Sequence, residues 1–108
     1  MSTDEQLRRE RPIRSFVRRQ GRFTPAQRDA FDSLWAGRGL EPGDAPLDLP
    51  SLFPGCTGFV VEIGFGMGHT LVELASRSPQ TGFVGIEVHR PGVGKLLAMA
   101  EERDLQNI

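Results

Sequence analysis

The chain has 108 residues, 38% of them hydrophobic and 13 of them glycine, which excludes a long repeat array, two full domains or a wholly disordered chain. Its one cysteine excludes an intrachain disulfide, and no apolar run approaches the ~18 residues of a membrane span. The net charge of −1 conceals a split: residues 1–28 carry eight Arg against three acids, net +5, and residues 29–108 carry five basic residues against eleven acids, net −6.

Residues 1–22 read as a basic, mobile arm, with Arg8, Arg9, Arg11, Arg14, Arg18, Arg19 and Arg22 around scattered apolar residues. Acids and arginines stand where a secretory signal needs an apolar core, so a soluble cytoplasmic protein is expected. A short helix is predicted over 24–36: Thr24 is a candidate N-cap, Pro25 suits the first helical position and Gln27 completes a capping box. Phe31, Leu34 and Trp35 give it an apolar face, with Trp35 expected in the core, and Gly37 and Gly39 supply the stop. Residues 37–58 are punctuated by Pro and Gly and read as an irregular loop, pinned by Leu47, Leu49, Leu52 and Phe53.

From residue 59 the pattern changes. FVVEI (59–63) predicts a buried strand and GFGMG (64–68) a glycine-rich turn. A helix over 67–77 would bury Met67, Leu71, Leu74 and Ala75. FVGIEV (83–88) predicts a second strand, and Pro91 starts a helix with Val93, Leu96, Leu97 and Ala100 on its apolar face. Strand, glycine turn, helix, strand, helix is the opening of a doubly wound α/β fold with a parallel sheet. A third strand is expected to begin over 104–108, up to Ile108. Two parallel strands do not make a sheet covered on both faces, so the N-terminal part of a longer protein is expected. The expected segments are the arm 1–22, a helix plus loop 23–58, and the first half of a ligand-binding α/β domain at 59–108.

The chemistry concentrates in residues 62–68 and in Glu87. Glycines between a strand and a helix let backbone N–H groups approach a ligand, and the helix N-terminus favours an anion. An acid at the end of the next strand can accept ribose hydroxyls. The ligand is a dinucleotide or S-adenosylmethionine. The dinucleotide pattern G-x-G-x-x-G puts its third glycine at His69, whereas the observed spacing is E-x-G-x-G-x-G.

That spacing resembles the first motif of class I methyltransferases. The strings IRSFVRRQGR (13–22), VEIGFGMGHTLVELA (61–75) and GIEVHRPGVG (85–94) resemble, more narrowly, the bacterial tRNA (guanine-N7)-methyltransferase family. The resemblance covers the chain from about residue 13, with a variable stretch at 37–58. It implies a Rossmann-like fold and methyl transfer from S-adenosylmethionine to N7 of guanine 46 in tRNA. It implies cofactor binding by Glu62, Gly64, Gly66, Gly68 and Glu87, with Glu62 at the ammonium end. It also raises the expectation that Arg14, Arg18, Arg19 and Arg22 meet tRNA phosphates, with Phe16 and Phe23 as stacking residues. The family's later acids, its Pro-Asp-Pro-Trp-type motif and its guanine-contacting residues have no counterpart in 1–108. The catalytic residues are therefore expected downstream of Ile108, and the chain alone should be inactive. The alternatives are a nicotinamide-dependent oxidoreductase fragment and a non-catalytic RNA-binding protein with part of this fold.

His69 and His89 read as orienting or surface residues, and without paired Cys or carboxylate spacing they make no metal site. Cys56 sits in a Pro/Gly loop and is not expected to be a nucleophile, and Met67 is expected to pack under the turn. The expected partners are tRNA and S-adenosylmethionine, with no metal and no membrane.

Overall fold

The structure, a computed structural model, describes residues 23–108. The arm 1–22, with Arg14, Arg18, Arg19 and Arg22, lies outside the described residues.

Helix α1 spans Pro25–Arg38. It starts as the sequence dictates: Thr24 Oγ1 accepts the Gln27 N–H at 3.1 Å and Gln27 Oε1 accepts the Thr24 N–H at 2.9 Å. Of the two glycines expected to stop it, the helix passes through Gly37 and closes at Gly39. The Gly39 N–H bonds to Trp35 O at 2.6 Å, and a Cβ on Gly39 would overlap the Trp35 indole. Trp35 is therefore half-buried rather than in the core. It stacks on Phe31 at 5.1 Å between ring centres, and its Nε1–H donates to Glu41. The buried residue of this helix is Ala30, which the apolar spacing does not single out. A four-residue helix, α2 (Leu49–Leu52), interrupts the loop expected to be irregular, because Asp48 O accepts the N–H of both Ser51 and Leu52.

Strands β1 (Gly58–Ile63) and β2 (Thr81–Ile86) pair in parallel, in register from Gly58 with Thr81 to Ile63 with Ile86. Helix α3 (His69–Arg77) connects them, and α4 (Arg90–Glu102) follows β2. This is the α/β architecture the sequence pattern predicts, limited to two strands with their helices. On one face of the sheet, Phe83 packs with Leu71, Val72 and Ala75 of α3 and Leu96 of α4. On the other, buried Phe53 lies over Gly82 and beside Phe59.

Some burial differs from expectation. The composition of β1 predicts a buried strand, yet Val61 is 51% and Ile63 77% exposed, because Phe53 covers only the opposite end of that face. On α3 the inward stripe is Leu71, Val72 and Ala75, and Leu74 faces out. β2 begins two residues earlier than predicted and ends two residues earlier, at Ile86. Ion pairs Arg38–Glu101 and Arg103–Glu73 tie α1 and α3 to the α4 segment.

After α4 the chain returns to β2 without forming the strand expected over 104–108. Asp104, at a left-handed φ of 53°, reverses the chain. The Phe83 N–H then donates to Asn107 O at 2.8 Å. The buried Asn107 side-chain NH2 lies 2.9–3.0 Å from the carbonyls of Ala75, Ser78 and Thr81. These bonds hold residue 107 against β2 and the end of α3 through both its backbone carbonyl and its side chain, without a strand ladder. Leu105 and Ile108 pack, partly buried, against the Leu71–Phe83 core, so Ile108 serves the core of this domain.

Candidate functional site

The chain leaves β1 at Ile63 and turns through residues 64–68 into α3. Gly64, Gly66 and Gly68 have φ of 75°, 65° and 86°, left-handed values that disfavour any side chain. The Gly64 N–H continues the ladder to Ile86 O at 2.7 Å, and the Gly68 N–H closes on Phe65 O at 3.1 Å. A Cβ at Gly64 or Gly66 would meet nothing within 4 Å, so bare backbone faces open space there. At the far end, Gly68 caps α3 without a side-chain bond, which leaves the first-turn N–H groups of α3 available to an acceptor.

Glu87 follows β2 and reaches back to this turn. Its Oε2 accepts the Gly66 N–H at 2.9 Å, while Oε1 accepts the N–H of Val88 and of His89, each at 3.2 Å. These last two bonds turn the chain out of the sheet, which is why β2 stops at Ile86. The first turn of α4 backs the loop: a Cβ on Gly92 would run into the Gly66 carbonyl oxygen. Glu62, in register with Gly85, is exposed, and its side chain has no hydrogen bond or ion pair among the described residues.

Glu62, Gly64, Gly66, Gly68 and Glu87 lie at or just beyond the C-terminal ends of the two strands, with Glu87 bonded to the turn at Gly66. The chemistry there is mixed. The N-terminus of α3 attracts an anion, Glu62 an ammonium, and Glu87 retains acceptor capacity for hydroxyl groups. A ligand carrying an amino-acid end and a ribose suits that donor set.

Other candidates are placed elsewhere. His69 is the exposed first residue of α3, and His89 is the N-cap of α4. Met67 is exposed rather than packed under the turn. Cys56 is half-buried, with its thiol 3.9 Å from Pro79 O. Among the described residues no group of three His, Cys, Asp or Glu is placed to hold a metal, and no helix is long and apolar enough to cross a membrane.

Sequence reasoning misses two features. One is Gly92, whose role is visible only once α4 is laid on the loop. The other is a cavity of about 380 Å³ lined by Thr24, Ala26, Gln27, Met67, His69, Lys95 and Ala98. Its one sequence signal is that Lys95 is the single lysine in a chain with twelve arginines.

A family model described as "Putative methyltransferase" matches residues 57–108. The chain is 53% identical over 105 residues to a tRNA (guanine-N(7)-)-methyltransferase of Klebsiella pneumoniae, 51% to that of Sodalis glossinidius and 52% to that of Yersinia pestis. Each alignment covers 97% of this chain and 44% of the relative, so the chain spans under half the length of the curated relatives it matches.

Proposed function

The chain belongs to the bacterial tRNA (guanine-N7)-methyltransferase family over the 97% of its length that aligns, and on that premise we propose that it forms the cofactor-binding part of an enzyme that methylates N7 of guanine 46 in tRNA. The identity of 53% over 105 residues carries the reading. The arrangement of Glu62, the glycine turn and Glu87 supports it.

In this reading Glu62 holds the ammonium of the cofactor's methionine end, and the α3 N-terminus with the backbone of residues 64–68 holds its carboxylate. Glu87 accepts the ribose hydroxyls while keeping the Gly66 N–H, which fixes the turn against the sugar. S-adenosylmethionine, when bound, supplies an electrophilic methyl group on sulfur. Guanine N7 carries a free lone pair, so residues 62–87 need no general base; their work is to fix the cofactor in line with the nucleophile and keep water out. The groups that seat the guanine belong, in this reading, to sequence beyond Ile108. The arm residues Arg14, Arg18, Arg19 and Arg22 would neutralise tRNA phosphates. A nicotinamide dinucleotide suits the site less well, because Glu62 would repel a pyrophosphate and His69 replaces the third glycine.

Calorimetry distinguishes these ligands. The protein is expected to bind S-adenosylmethionine and not NAD, and Gly66→Val is expected to abolish the signal. Binding of NAD in preference to S-adenosylmethionine would overturn the proposal.

A further inference from the structure

We propose that the cavity between the first turn of α1, the glycine-rich turn and α4 is a subsite for a phosphodiester of the substrate RNA, with Lys95 as its principal cation. The inference rests on the tRNA reading above and extends it to residues outside the cofactor site. None of Glu62, Gly64, Gly66, Gly68 and Glu87 lines this cavity.

Among the described residues the polar members of its lining are Thr24, Gln27, His69 and Lys95, with no carboxylate. The capping box turns Gln27 Oε1 back onto the Thr24 N–H, so Gln27 presents its NH2 as a donor. The lining is mostly apolar, and the few polar groups on it, a hydroxyl, an amide NH2, an imidazole and an ammonium, can each donate a hydrogen bond. A phosphodiester only accepts and carries a negative charge. Ala26, Met67 and Ala98 supply apolar wall for an adjoining sugar.

Lys95 is the decisive residue. It is half-buried and has no hydrogen-bond or ion-pair partner among the described residues. The other long cations of these helices are engaged or exposed: Arg38 bonds Glu101, Arg77 and Arg103 bond Glu73, Arg28 lies over the Phe23 ring, and Arg90 is exposed. The Lys95 ammonium has no counter-charge among the described residues and so is free to meet an anion. The cavity is also preformed. A Cβ on Gly94 would lie 2.5 Å from the Gln27 carbonyl, so α1 and α4 are in close contact at its wall. Finally, the arginines at 8–22 immediately precede Phe23 and Thr24 in sequence.

The test is the salt dependence of tRNA binding, followed by the fluorescence anisotropy of labelled tRNA. Lys95→Gln is expected to lower the slope of log K against log salt by about 0.7–1 and to weaken binding about 5–10-fold near 0.1 M salt. Lys95→Arg should restore both. Arg77→Gln, at the far end of α3, should change neither, and S-adenosylmethionine affinity should be unchanged in all three variants. Slope and affinity unaltered by Lys95→Gln would overturn the subsite, as would an equal effect of Arg77→Gln or failure of the unsubstituted protein to bind tRNA. The enzyme reading fails separately, by loss of S-adenosylmethionine binding in the unsubstituted protein.

Discussion

The backbone N–H of Gly66 donates to Glu87 Oε2 over 2.9 Å, and this bond joins the turn after β1 to the residue that follows β2. One carboxylate sets the position of a loop 21 residues away and at the same time ends its own strand through the N–H groups of Val88 and His89.

Glu87→Gln is the sharpest probe of this arrangement. The amide keeps one acceptor but turns an NH2 toward a backbone donor, so the turn loosens. S-adenosylmethionine affinity is expected to fall at least tenfold, about 1.4 kcal/mol, with loss of overall stability near 1 kcal/mol. Calorimetry and amide hydrogen exchange at Gly66 report the two effects separately.

Gly92→Ala should destabilise the protein by about 1–3 kcal/mol even though alanine is the better helix former. The new Cβ meets the Gly66 carbonyl. Gly37→Ala is the control, since a Cβ there meets nothing within 4 Å. That change should stabilise by roughly 0.5–1 kcal/mol. Urea midpoints of opposite sign are expected, and equal signs would show that helix propensity alone governs both sites.

Asn107→Ala removes the NH2 shared by the carbonyls of Ala75, Ser78 and Thr81. The expected loss is about 1–3 kcal/mol, because those acceptors close the α3–β2 connection. The thermal midpoint measures it, and a shift within error would mean that water replaces the side chain without penalty.

Replacing Arg18, Arg19 and Arg22 together with Gln should flatten the salt dependence of tRNA binding by about 2–3 units of slope if each meets a phosphate. An unchanged slope would make the arm a solvated tail.

The 108 residues by themselves are expected to transfer no measurable methyl group to tRNA, since they hold cofactor-binding candidates but no residue expected to seat the guanine. Incorporation of labelled methyl into tRNA, with a relative such as the Klebsiella pneumoniae enzyme as positive control, decides this.

Local chemistry is the legible part of the sequence. The Thr24–Gln27 capping box and the glycine spacing at 64, 66 and 68 depend on neighbours in the chain, and both stand as read. Relations between elements are not legible. The spacing of Trp35 fits a helix face and points to the core, but α4 meets that helix at Gln27 and Arg38 instead. The composition around Val61 and Ile63 suggests burial, although burial depends on what covers the sheet. Glu87 reads as the end of a strand. Its bonds to Gly66, Val88 and His89 arise only when the turn lies opposite it, and no local pattern encodes them. Ile108 reads as the start of a strand, yet its place against Leu71 and Phe83 follows from the reversal at Asp104. Lys95 carries no motif, and only the approach of α1 to α4 encloses it.

The exposure of β1 has a consequence for handling and expression. Residues 59–63 form a short, β-prone stretch rich in Val and Ile, bonded among the described residues to β2 alone. Such an edge is a template for intermolecular strand pairing. Glu62 is the only charge within it and would act as its gatekeeper. The same carboxylate proposed to hold an ammonium would thus also keep the polypeptide from precipitating, and Glu62→Val should convert a ligand-binding defect into visible aggregation.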